Sequence, residues 1–196
     1  MDKKSTKTKI LKTGAELVYH QGFNNTGIQQ ILAASGVPKG SFYFYFKSKD
    51  EFGLELIQYF DEELFALRKE IFADSAKTPL NRFRAYFQWC LRFYGANNFR
   101  GGCPIGNLAL ELSDLNPIFQ KQLASVAEKM IDHFGEVLQQ ARDLREIPAD
   151  VNIRETSRLI FSCWEGALLH MKIEKTLEPL YLAARHIFAK LLQTEF

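Results

Sequence analysis

Apolar residues recur at the three- and four-residue spacing of helices along almost the whole chain, and no stretch reads as a sheet. Between Gly27 and Ala34, Ile28, Ile31 and Leu32 fall on one face, with Thr26 placed as an N-cap. Gly36 stands where the chain must turn sharply, a conformation that the absence of a Cβ allows. Pro38 then suits the start of a second helix, whose first N–H groups have no intrahelical partner in any case. In that helix Val37, Phe42 and Phe46 can face inward, which turns Lys39, Gly40, Ser41, Tyr43, Phe44 and Tyr45 outward. Two short helices about a tight turn, the second with exposed aromatics, are the outline of a helix-turn-helix.

The periodicity beyond residue 48 predicts helices only. Ser48 caps one that runs through Leu54, Ile57, Phe60 and Leu64 to about Ala73, with Asp50 and Glu51 at its positive end. Thr78-Pro79 opens the next, from Leu80 to about Gly95, and its two stripes (Leu80, Phe83, Phe87, Leu91, Tyr94 and Tyr86, Trp89, Phe93) predict a central, buried helix. An irregular stretch from Asn97 to Gly102 precedes a short helix from Cys103, and a long one spans Pro117 to about Arg142. Pro148 and Asn152 announce a helix of about 22 residues, and Glu178-Pro179 opens a last one running to the C-terminus. In this final pair Ser162, Cys163, Gly166 and Ala167 lie beside Ile160, Trp164, Leu168 and Met171, and Ala183, Ala184, Ile187, Phe188 and Leu191 follow. Small residues allow close helix approach, so these two helices read as an association surface for a homodimer.

Composition narrows the class. The 196 residues are 46% hydrophobic, enough for a small domain and a larger core, and no run of 18 uncharged apolar residues suggests a membrane partner. No signal-peptide pattern follows Met1-Asp2-Lys3-Lys4, so the expected location is cytoplasmic. The net charge is only +2, but residues 1–50 hold eight Lys against three acids, about +5, and the remainder is about −3. The positive charge therefore accompanies the helix-turn-helix, as binding to DNA phosphates requires. Tyr43, Tyr45 and Ser41 can hydrogen-bond phosphates, Lys39, Lys47 and Lys49 add charge, and Gln29 can read an adenine or touch a phosphate.

Residues 8–52 resemble the N-terminal DNA-binding domain of the TetR family of bacterial transcriptional regulators. The matching pieces are Ile10-Leu11, Ala15-Glu16-Leu17, the Gly22-Phe23 corner, Thr26, the Gly36-Val37 turn, Lys39 to Phe46, and Lys47-Ser48-Lys49-Asp50. The resemblance implies phosphate contacts at Tyr43, Tyr45 and Lys49, and base-edge positions for Gln29, Lys39, Gly40 and Phe44. Gly27 departs from the family pattern, in which a second hydroxyl residue is common. The implied fold is all-α, a three-helix helix-turn-helix domain over residues 1–48 followed by a larger helical effector-binding and dimerisation domain over 49–196. A twofold dimer would set two reading heads about 34 Å apart on a palindromic operator of double-stranded DNA.

The chemistry outside the reader centres on Cys103. Pro104 suits the first helical position, which puts Cys103 at an N-cap, near unpaired N–H groups and the positive end of a helix dipole, with Arg100 close in sequence. Such a thiol suits reaction with electrophiles. Gly102-Cys103, Trp164-Glu165-Gly166-Ala167, Lys172 and Glu178-Pro179-Leu180 resemble a branch of the same family that includes N-ethylmaleimide-sensing and acrylate-responsive repressors. The expected effector is small and apolar or electrophilic, and its expected site comprises Cys103, Phe87, Tyr94, Leu108, Trp164, Leu168 and Lys172. Cys90 and Cys163 read as inert packing residues on apolar faces, and Asp132-His133 as a solvated pair. No ligand spacing for a metal, no catalytic pair and no cofactor motif stands out, so the chain reads as a repressor rather than an enzyme.

Overall fold

The computed structural model describes residues 3–196, with the side chains of residues 3–5 and 39 outside the description. Among the described residues there are nine α-helices: α1 Lys3–Gln21, α2 Ile28–Ser35, α3 Lys39–Tyr45, α4 Lys49–Phe72, α5 Pro79–Ala96, α6 Pro104–Leu112, α7 Pro117–Asp143, α8 Ile153–Glu174 and α9 Glu178–His186. Their starts obey local chemistry. Ser48 Oγ accepts from Glu51 N at 3.0 Å, Thr78 caps α5 with Pro79 behind it, and Asn152 Oδ1 accepts from Glu155 N at 3.2 Å. Two boundaries differ from expectation. Gly27, not Thr26, is the N-cap of α2, because the Thr26 hydroxyl turns back to donate to the Gly22 carbonyl at 2.6 Å. The last helix stops at His186, and Ile187–Leu191 widens into a π-turn closed by Leu192 N–H on the Ile187 carbonyl at 3.0 Å.

The chain forms two compact units, residues 1–63 with 104–125, and residues 64–103 with 126–196. The expected boundary at residue 48 marks the start of α4, whereas the divisions between units fall within α4, between Cys103 and α6, and within α7. In the first unit Phe42, Phe46 and Phe52 form a fully buried aromatic group with ring centroids 5.2 to 5.8 Å apart. Burying each ring contributes about 1.5–3 kcal/mol, which is what holds so short a helix as α3 in place. The α2–α3 elbow is a left-handed cap at Gly36 (φ 61°), with Val37 N–H returning to the Leu32 carbonyl at 3.2 Å.

The second unit is built around α5. Phe83, Phe87, Phe134, Trp164 and Phe188 are buried, with Phe87 4.6 Å from Trp164 and Phe83 5.4 Å from Phe134. His133 is not a solvated surface residue. It is half-buried, stacks on Phe65 at 5.0 Å, meets the Phe72 ring at 5.1 Å, and accepts through Nδ1 from Arg68 Nε at 3.4 Å. Its neighbour Asp132 pairs on the surface with Arg154.

Burial, and then the positive charge of Arg68, hold the His133 imidazole down to about 4 from its ordinary 6.5. Between those values the unfolded chain takes up a proton at this site that the folded chain refuses. Stability therefore falls as pH drops from about 6.5 to about 4, and no further loss comes from this group below that range. Urea unfolding at pH 7 and pH 5 should show a smaller acid-induced loss for His133→Asn, whose side-chain carbonyl can still accept from Arg68. An equal loss in both proteins would contradict the assignment.

Candidate functional site

The outward face of α3 is dominated by two aromatic side chains. Tyr43 is 57% and Phe44 65% exposed, while Val37, Phe42 and Phe46 on the opposite face are buried, so the expected inside and outside both hold. Gln29, Gly40 and Lys47 are exposed, and Ser41 and Tyr45 are half-exposed. The Lys39 side chain lies outside the described residues. Gly40 has ordinary helical surroundings, and a Cβ built on it would meet nothing within 4 Å. Neither a left-handed backbone nor internal packing demands a glycine there, and its bareness faces away from the protein.

Thr26 and Lys49 hold the reader together from behind. Thr26 is fully buried and links the end of α1 to α2, donating to Gly22 O and accepting from Gln21 Nε2 at 3.2 Å. Lys49 Nζ donates to the Asn24 carbonyl at 3.3 Å and lies 4.7 Å above the Phe23 ring. Burial lowers its pKa, against the pull of Glu111 and Asp50. The residue that sequence reasoning missed is Glu111, whose carboxylate accepts from the amides of Phe23 (3.2 Å) and Asn24 (3.0 Å). It meets the corner where Gly22 adopts φ +86° and where an added Cβ would lie 2.9 Å from Glu111 Oε1. The separation of 88 positions between Phe23 and Glu111 leaves no local signal of this pairing.

In the second unit Cys103 directly precedes α6, so Pro104 does occupy the first helical position. The thiol is buried, and it donates to the Glu165 carboxylate. Arg100, close to the thiol in sequence, is exposed. Burial raises the Glu165 pKa, and the Cys103 bond partly offsets the rise. A carboxylate so raised is a stronger base, placed to take the thiol proton. Glu165 was legible only as part of a motif, with no role assigned. Of the expected effector residues, Phe87, Tyr94, Trp164 and Leu168 are buried in the second unit, Lys172 is half-buried there, and Leu108 belongs to the first unit. Cys163 is exposed, not packed, because Ile160, Trp164, Ala167, Leu168 and Met171 take the buried face of α8.

The family model for bacterial regulatory proteins of the tetR family matches residues 10–56, and the one for the tetracyclin repressor-like C-terminal domain matches residues 79–187. The chain belongs to the TetR family. It is 32% identical to the transcriptional regulator AcuR of Cereibacter sphaeroides over 90% of this chain and 80% of that protein. It is 30% identical to the transcriptional repressor DhaR of Mycobacterium sp. strain GP1 over 93% of this chain and 90% of that one. The solved structure of the reduced form of Escherichia coli NemR matches with a TM-score of 0.84 and 27% identity, covering 93% of this chain and 95% of that one. The TetR-family chain is thus a DNA-binding transcriptional regulator with a helix-turn-helix reader. Among its described residues no helix is long and apolar enough to cross a membrane.

In this TetR-family reader the Glu111 carboxylate satisfies two amides at the Gly22–Asn24 corner. Glu111→Ala should therefore lower stability by about 1–3 kcal/mol. Leu110→Ala, next door but 81% exposed, should stay within about 0.5 kcal/mol. Urea titration monitored by circular dichroism measures both, and equal effects would contradict the role given to the carboxylate.

Proposed function

We propose that this chain is a dimeric repressor, in which residues 1–48 read a palindromic operator and residues 49–196 dimerise and sense an electrophilic or small apolar effector in the cytoplasm. The observation that carries the DNA-reading assignment is the outward face of α3, where Tyr43, Phe44 and a glycine with no internal reason to be one stand exposed above three buried Phe residues. A missing Cβ at Gly40 lets the backbone come close to a base edge or sugar. Tyr43, Tyr45 and Ser41 can donate to phosphate, Lys39 and Lys47 add charge, and Gln29 and Phe44 lie toward the bases. Lys49, engaged by the Asn24 carbonyl, supports the reader more than it contacts DNA.

Dimerisation is assigned to the open faces of α8 and α9. Leu159, Leu169 and Ile173 are 46%, 47% and 66% exposed on α8, with Ser162, Cys163 and Gly166 between them, and Tyr181 and Leu182 are exposed on α9. Apolar side chains at this density on two adjoining helices suit a symmetric interface. Sensing is assigned to Cys103. As an activated alkene approaches, the thiol proton passes to Glu165, the sulfur forms a bond to the alkene carbon β to the activating carbonyl as the π bond breaks, and the proton is returned to the α carbon. The cysteine is alkylated with no change in redox state. α6 follows Cys103 without a linker and carries Glu111, so an adduct that displaces the start of α6 acts on the Gly22–Asn24 corner.

Fluorescence anisotropy with the DNA flanking the gene tests the reading. The protein should bind one palindromic segment with affinity that falls steeply with salt, and Lys47→Ala should weaken binding and reduce the salt slope by about 1. N-ethylmaleimide should release the wild-type protein from DNA and leave Cys103→Ser bound. A protein that binds no flanking DNA, or a Cys103→Ser variant released as readily as wild type, would defeat the corresponding half of the proposal.

A further inference from the structure

Arg68, in the second unit, is completely buried. A guanidinium stays protonated even there, and an uncompensated buried charge is costly. Its Nε reaches His133, but Nη1 and Nη2 are buried and meet no acceptor among the described residues. The titratable groups that feel its charge do not neutralise it. His133 is held down to about 4, Cys90 is pushed up to about 12 by burial, and burial raises Tyr86 well above its ordinary 10, so all three are uncharged at neutral pH. Tyr86, which feels that charge, packs on Phe72 at 5.7 Å and on Phe134 at 5.5 Å, and Phe72 also meets the His133 ring. Toward solvent stands the stack of His133 on the 46% exposed Phe65.

We infer that the second unit binds a small organic carboxylate, its two oxygens on Nη1 and Nη2 of Arg68, Tyr86 beside them, and its apolar body against Phe72 and Phe134. The planar fork of a guanidinium matches a carboxylate through two parallel hydrogen bonds. A single positive charge between aromatic walls suits a monoanion with an apolar tail better than a doubly charged phosphate. The Phe65–His133 stack is the solvent side of the site, since its rings are the partly exposed ones. This deepens the effector reading above by naming a chemical class, and it is independent of any covalent step at Cys103.

Thermal unfolding of the full chain without DNA tests it, using sodium acetate, butyrate and benzoate, each against its neutral amide and against sodium chloride and phosphate at equal ionic strength. At least one carboxylate should raise the melting temperature saturably by a few degrees, as binding to the folded state requires, while its amide and the inorganic salts do not. Arg68→Met should abolish that response and melt no lower than the unliganded wild type, because it removes an uncompensated charge. Arg68→Lys and Tyr86→Phe carry the test if the Met variant does not fold. Lys keeps the charge without the fork and should weaken the response more than about tenfold in ligand concentration, and Phe should weaken it by about fivefold. No response to any carboxylate, an equal response to the amides or to chloride, or a full response in Arg68→Met or Arg68→Lys would overturn the inference. Loss of operator binding by the unliganded wild type would instead defeat the DNA-reading proposal and leave the carboxylate site standing.

Discussion

The Glu111 carboxylate ties three parts of the DNA reader at one point. It accepts from two consecutive amides at the Gly22–Asn24 corner, and the Asn24 carbonyl in turn accepts from Lys49 at the start of α4. The end of α1, the approach to α2 and the first turn of α4 are thereby fixed with respect to α6. The aromatic group of Phe42, Phe46 and Phe52 supplies more burial energy, but apolar contact has no preferred direction. The carboxylate bonds do, and a reading helix of seven residues needs its orientation set by something other than its own hydrogen bonds.

Much of this was legible in local sequence. The starts of α4, α5 and α8 follow from Ser48, Thr78-Pro79 and Asn152, since capping depends on three or four neighbouring residues. The faces of α3 followed from the spacing of Val37, Phe42 and Phe46. Thr26 misled because a hydroxyl one residue from a helix has two backbone groups within reach, and here the Gly22 carbonyl wins. Cys163 misled because α8 is apolar around most of its circumference, so periodicity alone could not say which stripe meets the core. Glu111 and Arg68 left no trace at all. The partners of one are nearly ninety residues away, and the burial of the other contradicts the usual place of a charged side chain.

The same contrast runs through the sites. Cys103 was identifiable from the proline that follows it, whereas its partner Glu165, 62 positions on, is seen only in three dimensions. The N-terminal position of the thiol and the raised basicity of the carboxylate act together. In the proposed sensing reaction the helix N-terminus would favour the anionic sulfur and the carboxylate would receive its proton. The chain continues from that thiol straight into α6, the helix that carries Glu111.

The central claim is that this helix carries the signal, and amide hydrogen exchange at Phe23 and Asn24 measures it directly. The account predicts that both amides are protected in the unmodified protein and lose protection after reaction with N-ethylmaleimide, with no change in Cys103→Ser. Protection that is the same before and after modification of Cys103 would contradict it.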